Sequence, residues 1–186
     1  VDVPRRVPGS IVSLALAASV SACTMVGYPS SSPPPPYGPD VRDVGDTDLP
    51  REPASELGNP RTYEVFGRTY RTLASAEGLE EEGLASWYGD EFEGRSTSSG
   101  EVFDPDRLTA AHRSIPLPSW VEVENLDNGR RVIVRVNDRG PFVDPENRII
   151  DLSEAAARRI GMVGTGVAPV RIRVLVSARV PESERR

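Results

Sequence analysis

The sequence predicts a mainly β domain, a small closed barrel of six short strands with one short helix, preceded by a disordered N-terminal tether. Three observations carry this. Between Leu84 and Val176, six short runs of β-type residues, several alternating apolar with polar, are separated by Gly, Pro and Asp turns. A single stretch, Ala155–Ile160, has helical character. Upstream of about Asn59 there is no apolar periodicity at all. So few short strands in so short a span suit closure into a barrel.

Of the 186 residues, 38% are hydrophobic, and the chain holds 18 Pro and 16 Gly with a net charge of −6. The acidic balance argues against a nucleic-acid binder, which needs a basic face to meet phosphates. One Cys excludes an internal disulfide framework and a Cys-cluster metal site. One His excludes multi-histidine zinc chemistry, so neither metal nor cofactor is expected.

At the N-terminus, Arg5 and Arg6 precede a short apolar run, Ile11 to Val20. A helix needs about 20 apolar residues to span a bilayer, so this run reads as a secretory signal. Val20-Ser21-Ala22-Cys23 resembles the bacterial lipobox, in which the cysteine receives lipid. The expectation is a signal peptide at 1–22 and lipidation at Cys23, with a plain signal or a twin-arginine signal as alternatives. Such a protein is anchored on the periplasmic side, and Thr24 after the cysteine points to the outer membrane.

Residues 23–60 read as the tether. Ser30-Ser31-Ser32 leads into Pro33 to Pro36, and Asp40, Asp43, Asp46, Asp48 and Glu52 follow. Proline stiffens the chain, like charges extend it, and little apolar area is available to offset ordering entropy. Residues 24–82 carry 11 acids against 5 arginines, whereas residues 83–176 carry 14 against 12. The charge therefore sits on the tether, as a solvated run.

Residues 61–82 read as a lead-in segment. Tyr63 to Tyr70 alternates around Gly67 as a small hairpin or an extended entry segment, and Ser75 to Glu82 suits a short turn or helix. The barrel is expected over 83–177. Its strands are Leu84–Tyr88, Leu108–His112, Trp120–Glu124, Arg131–Val136, Arg148–Leu152 and Val170–Val176. Asp127-Asn128-Gly129 marks a hairpin, because Asn-Gly tolerates positive φ. Ser153 is a good helix N-cap, Glu154 suits the first turn, and Gly161 stops the helix. Residues 178–186 form a tail. Alternation places one of Trp87 and Tyr88 in the core, Trp87 being the expected one.

Five stretches in order carry a resemblance. They are Ala85-Ser86-Trp87-Tyr88-Gly89, Thr97-Ser98-Ser99-Gly100-Glu101, Leu108-Thr109-Ala110-Ala111-His112, Val136-Asn137-Asp138-Arg139-Gly140-Pro141-Phe142 and Arg148-Ile149-Ile150-Asp151-Leu152-Ser153. Across 84–176 the chain resembles the rare lipoprotein A type of septal lytic transglycosylase. The resemblance implies a double-psi β-barrel, akin to those of expansins. It implies a periplasmic enzyme that cuts peptidoglycan glycan strands, preferentially those lacking stem peptides, and helps daughter cells separate. Division-machinery proteins are the implied partners. The glycan-binding SPOR domain that many members carry is not expected in the short tail.

The resemblance also implies a catalytic set: Asp138 of Asn-Asp-Arg-Gly, Glu101 after the Gly of Thr-x-x-Gly, and His112 of Ala-Ala-His. Asp151 matches a second acidic position of the expansins. Asp151, Arg139 and Tyr88 are candidates for substrate contact. Taken alone, each residue has a plainer reading: Asp138 as a turn residue, His112 as a structural histidine, Glu101 as a surface charge, and Arg135, Arg139 and Arg148 as partners for nearby acids.

The chemistry asks for few groups. An acid protonates the leaving oxygen and an oxocarbenium-like centre is stabilised. A lytic transglycosylase then deprotonates the muramic acid's own C6 hydroxyl and closes an anhydro ring, and one carboxyl can perform both proton transfers. A non-catalytic expansin-like glycan-binding module, or a lipoprotein of the division apparatus, is the alternative.

Overall fold

The structure, a computed structural model, describes residues 49–181 and residue 183. The signal peptide, Cys23 and the tether as far as residue 48 lie outside the described residues. Among those described, no helix is long and apolar enough to cross a membrane.

Eight strands and one α-helix follow in order: β1 Thr62–Val65, β2 Arg68–Arg71, β3 Glu80–Tyr88, β4 Thr109–His112, β5 Ser119–Asn125, β6 Arg131–Asp138, β7 Arg148–Ser153, α1 Glu154–Arg159 and β8 Val167–Ser177. Strands β1 and β2 form the expected separate hairpin. The other six close into a barrel in the order β3-β7-β4-β6-β5-β8. Two neighbours pair in parallel, β3 with β7 and β4 with β6, and the remaining pairs are antiparallel. This is the mixed six-stranded barrel that the sequence and its resemblance predict.

Alternation sets the layers. Val121, Val123, Val134, Val136, Ile150, Leu152, Val170 and Ile172 have no exposed surface and fill the interior. The outward positions between them carry charge, and Arg171 and Arg173 on β8 pair with Glu82, Glu122 and Glu124 on β3 and β5. The β5–β6 turn uses Gly129 at φ +69, as Asn-Gly predicts. Ser153 caps α1 by accepting from Ala156 N at 3.3 Å, and Gly161 follows the helix at φ +72.

Four boundaries differ from the sequence reading. Glu80–Glu82 are not helical but begin β3, opposite Arg171–Arg173 of β8. The 11-residue β8 needs a partner along its whole length, and that pairing overrides the local preference of a Glu run. Residues 61–82 are more than a lead-in: Ala76 joins the core, Thr72 is buried, and Leu73 N donates to Ser114 O at 2.8 Å. Residues 50–59 were expected in the tether but form a strap lying on the barrel. Trp120 Nε1 donates to Pro50 O at 3.1 Å, Ser55 N to Leu117 O at 2.9 Å, and buried Asn59 exchanges side-chain hydrogen bonds with the Leu117 backbone. The strap is polar in sequence because its contacts are hydrogen bonds and ion pairs. The start of the tail packs as well, with Ala178 and Val180 both buried.

Trp87 is partly buried and packs against the barrel core, while Trp120, only 1% exposed, is covered by the strap at Pro50.

Candidate active site

The site is built where three neighbouring strands place two carboxylates in one row. A register shift between Ala110 and Ala111 brings Ala111 opposite Asp138 on β6, and on its other side Ala111 faces Asp151 on β7. Asp138 and Asp151 thus flank one small residue, two strand spacings apart, or roughly 10 Å between backbones. The loop after Asp138 covers this row: a Cβ on Gly140 would stand 3.4 Å from Asp151 Oδ2 and 3.5 Å from Ala111 Cβ.

Asp138 is held by one oxygen. Its Oδ1 accepts from Ser98 N at 2.8 Å, Ser98 Oγ at 2.6 Å and Arg139 N at 2.7 Å. Its Oδ2 accepts no hydrogen bond among the described residues. The donors come from the Thr97–Glu101 turn, which is closed by Thr97 N to Glu101 O at 2.7 Å and Gly100 N to Thr97 O at 2.9 Å. Ser99 N to Asn137 O, at 3.3 Å, ties the turn to the end of β6. One oxygen is therefore fixed and the other left for chemistry.

Asp151 accepts from Ser86 Oγ and from Arg148 Nη2, the latter at 2.5 Å. Tyr88 lies nearby, its ring 4.6 Å from Phe103 and 5.8 Å from Phe92 between centroids. Its hydroxyl is buried without a hydrogen-bond partner among the described residues. Burial, and then the charges of Asp138 and Asp151, push the phenol pKa well above its ordinary range. The Tyr88 hydroxyl therefore keeps its proton and is an unspent donor in the field of both carboxylates. Arg148 Nε is a second buried donor without a partner among the described residues.

Glu101 stands at the far end of the turn that holds Asp138. Arg135 Nη1 donates to both its oxygens at 2.7 Å, and Asn137 Nδ2 donates to Oε2 at 2.9 Å. Among the described residues, Asn137 Oδ1 is buried without a partner. Arg135, 6% exposed, also binds Glu52 from the strap. Burial works against its charge, but the hydrogen bonds to Glu52 and Glu101 outweigh it and leave its pKa raised. Arg135 is thus a buried partner for acids, the plainer of its two readings.

Two expected residues are placed otherwise. His112 is 1% exposed. Its Nδ1 accepts from Ser114 N and Ile115 N, both at 3.1 Å, which puts the proton on Nε2. Nε2 lies 3.5 Å from Glu81 Oε2, an ion-pair distance rather than a made hydrogen bond. Burial lowers the imidazole pKa, against the pull of Glu81, so the ring is neutral at pH 7. Strand alternation turns it away from the row of Ala111. His112 organises its own turn, with its ring shielded from solvent.

Arg139, a candidate for substrate contact, has its guanidinium turned to the strap and to the turn after β4. Nε donates to Gly58 O, Nη1 to His112 O and Ile115 O, and Nη2 to Gly58 O and Asn59 Oδ1. All five donors of a guanidinium are spent. Burial pulls its pKa down to about 10. Arg139 staples the strap to the barrel.

Ser98 and Ser86 lie within the motifs but carry no chemical signal of their own, and nothing adjacent in the chain marks Glu81 as the neighbour of His112. Glu52 carried no signal, since one acid in an acidic run looks solvated. Among the described residues no three His, Cys, Asp or Glu side chains converge as metal ligands.

Against known proteins, the lytic transglycolase family of double-psi β-barrels matches residues 80–172. The chain is 50% identical over 135 residues to the endolytic peptidoglycan transglycosylase RlpA of Vibrio cholerae, covering 73% of this chain and 50% of that protein. It is 52% identical over 115 residues to the protein of the same name from Pasteurella multocida, covering 61% and 38%. For the one from Campylobacter jejuni the figures are 49% over 118 residues, covering 63% and 42%. The chain spans half or less of the length of these relatives.

Proposed function

The chain belongs to the lytic transglycolase family, and from that premise we propose that it cleaves peptidoglycan glycan strands to 1,6-anhydro-muramyl products, preferentially on strands lacking stem peptides. The observation that carries the reading is Asp138, anchored through Oδ1 with Oδ2 unengaged among the described residues, in a row with Asp151.

The reaction balances within the substrate. Asp138 gives a proton to the glycosidic oxygen as the bond from that oxygen to the muramic C1 breaks. The Asp138 carboxylate then takes the proton of the C6 hydroxyl while O6 bonds to C1, and the enzyme returns to its starting state. Anchoring of Oδ1 limits the loss of orientation between the two transfers. The Asp151 carboxylate is the partner assigned to sugar hydroxyls, with the buried Tyr88 hydroxyl behind it in the field of both carboxylates. Glu101 and Arg135 set the wall on the side of the Thr97–Glu101 turn. His112 acts as a positioning residue, by holding the turn after β4.

Lipidation at Cys23, attachment to the periplasmic face of the outer membrane, and work beside the division machinery complete the proposal. The lipobox sequence and the family support them. If Cys23→Ser remains in the membrane fraction, the anchor is wrong.

The deciding experiment is digestion of purified sacculi and of peptide-stripped glycan, with products weighed. Anhydro products weigh one water less than hydrolysis products. Binding without release of any muramyl product would favour the non-catalytic, expansin-like module instead.

A further inference from the structure

The 50–59 strap touches both turns that carry the candidate carboxylates Asp138 and Glu101, although the family match begins only at residue 80. Glu52 grips Arg135 from one side: Nε donates to Oε1 and Nη2 to Oε2, both at 2.8 Å. From the other side, Nη1 of the same guanidinium holds both oxygens of Glu101 at 2.7 Å. A planar fork occupied along two edges has one orientation left. Arg135 is 6% exposed, so water does little to loosen it.

Further along, Ser55 Oγ donates to Ser99 O at 3.1 Å. Gly58, at φ +79, packs so closely that a Cβ there would stand 2.6 Å from Ser98 O. Gly58 O accepts from Arg139 Nε at 2.8 Å and Nη2 at 2.6 Å. Ser98 and Arg139 are the two residues whose donors fix Asp138 Oδ1.

We propose that the strap is a positioning element of the active site, and that Glu52, acting through Arg135, sets the Glu101 carboxylate. The inference rests on the transglycosylase reading above and adds to it a residue outside the matched domain. Glu52 reaches Glu101 only through Arg135, so its effect is one of geometry. Without it, Arg135 keeps Glu101 but loses the partners of Nε and Nη2, and the guanidinium turns to regain them, taking Glu101 with it.

The test compares Glu52→Gln with Glu77→Gln in the full chain. Glu77 pairs with strap residue Arg51 at an exposed position and serves as the control. On peptide-stripped glycan, Glu52→Gln should lower kcat about tenfold, since small misplacements of catalytic groups carry such costs. KM should stay within about twofold, and Glu77→Gln should match the parent on both. In hydrogen exchange, Glu52→Gln should speed the amides of Ser99, Gly100 and Glu101, while Val121 and Ile172 in the barrel keep their protection. Gly58→Ala, which must displace Ser98, should lower kcat likewise. Parental kcat in Glu52→Gln, or loss of protection across the whole barrel rather than in the turn, overturns the proposal. If the parent chain itself releases no anhydro product, the functional reading fails, and exchange in the 97–101 turn alone decides the strap: unchanged rates there sink it.

Discussion

Asp138 separates chemistry from stability at the level of one side chain. Asn in its place still offers an oxygen to Ser98 N and Arg139 N, the two backbone donors that hold Oδ1. It can carry no acidic proton. Asp138→Asn should therefore lower turnover on peptide-stripped glycan by about 10²- to 10⁴-fold, with little change in the thermal midpoint. Turnover at the parental rate would remove Asp138 from the mechanism. His112 gives the opposite kind of signal. Burial lowers its pKa in the fold, so an unfolded imidazole, titrating near about 6.5, takes up a proton first. The unfolded state then binds more protons, and stability falls as pH drops below about 6.5. His112→Gln should flatten the dependence of the thermal midpoint on pH between about 6.5 and 5, and an unchanged slope would show that another group carries it.

At the scale of elements, Ser153 joins three of them. Its Oγ caps α1 at Ala156 N, accepts from Thr109 N of β4 at 3.4 Å, and donates to Arg107 O at 2.5 Å. A lost N-cap costs about 1 kcal/mol on its own. Here Ser153→Ala also removes the hydroxyl's hydrogen bonds with Arg107 O and Thr109 N, so about 2 kcal/mol is expected in urea unfolding. The β5–β6 turn isolates a different cost. Gly129 sits at φ +69 with nothing within 4 Å of where a Cβ would lie. Gly129→Ala should cost about 1 kcal/mol from backbone strain alone, and a cost several times larger would mean that the turn makes contacts its geometry does not show. Cap and turn residues were legible in the sequence because each acts within a few residues of itself. The start of β3 was not, because Glu80–Glu82 take their conformation from β8, about 90 positions away in the chain.

For the whole molecule, the functional unit extends beyond the barrel. Arg135 and Arg139 are charges taken out of water, and strap residues Glu52, Gly58 and Asn59 satisfy much of their hydrogen bonding. Breaking one buried ion pair costs about 3–5 kcal/mol. A chain beginning at Leu79 should therefore be less stable in urea by at least that much than one beginning at Leu49, or should lose cooperativity. Equal midpoints and slopes would show that the barrel stands alone and that the strap is dispensable to the fold.

Barrel class, six strands, the helix and its caps, and the identity of the Asp138 and Glu101 motifs were determined by the sequence alone. They rest on alternation, turn chemistry and short contiguous motifs, all local properties. Which of the motif residues face one another was decided by tertiary structure. The shift at Ala111 puts Asp138 and Asp151 in one row, strand alternation turns His112 away, and packing of the strap commits Arg139 and recruits Glu52. A side chain's type is written in the chain, but its partners depend on strand register and on segments brought from 40 to 80 residues away. Where a buried arginine finds its carboxylates is set by what the closed barrel leaves within reach.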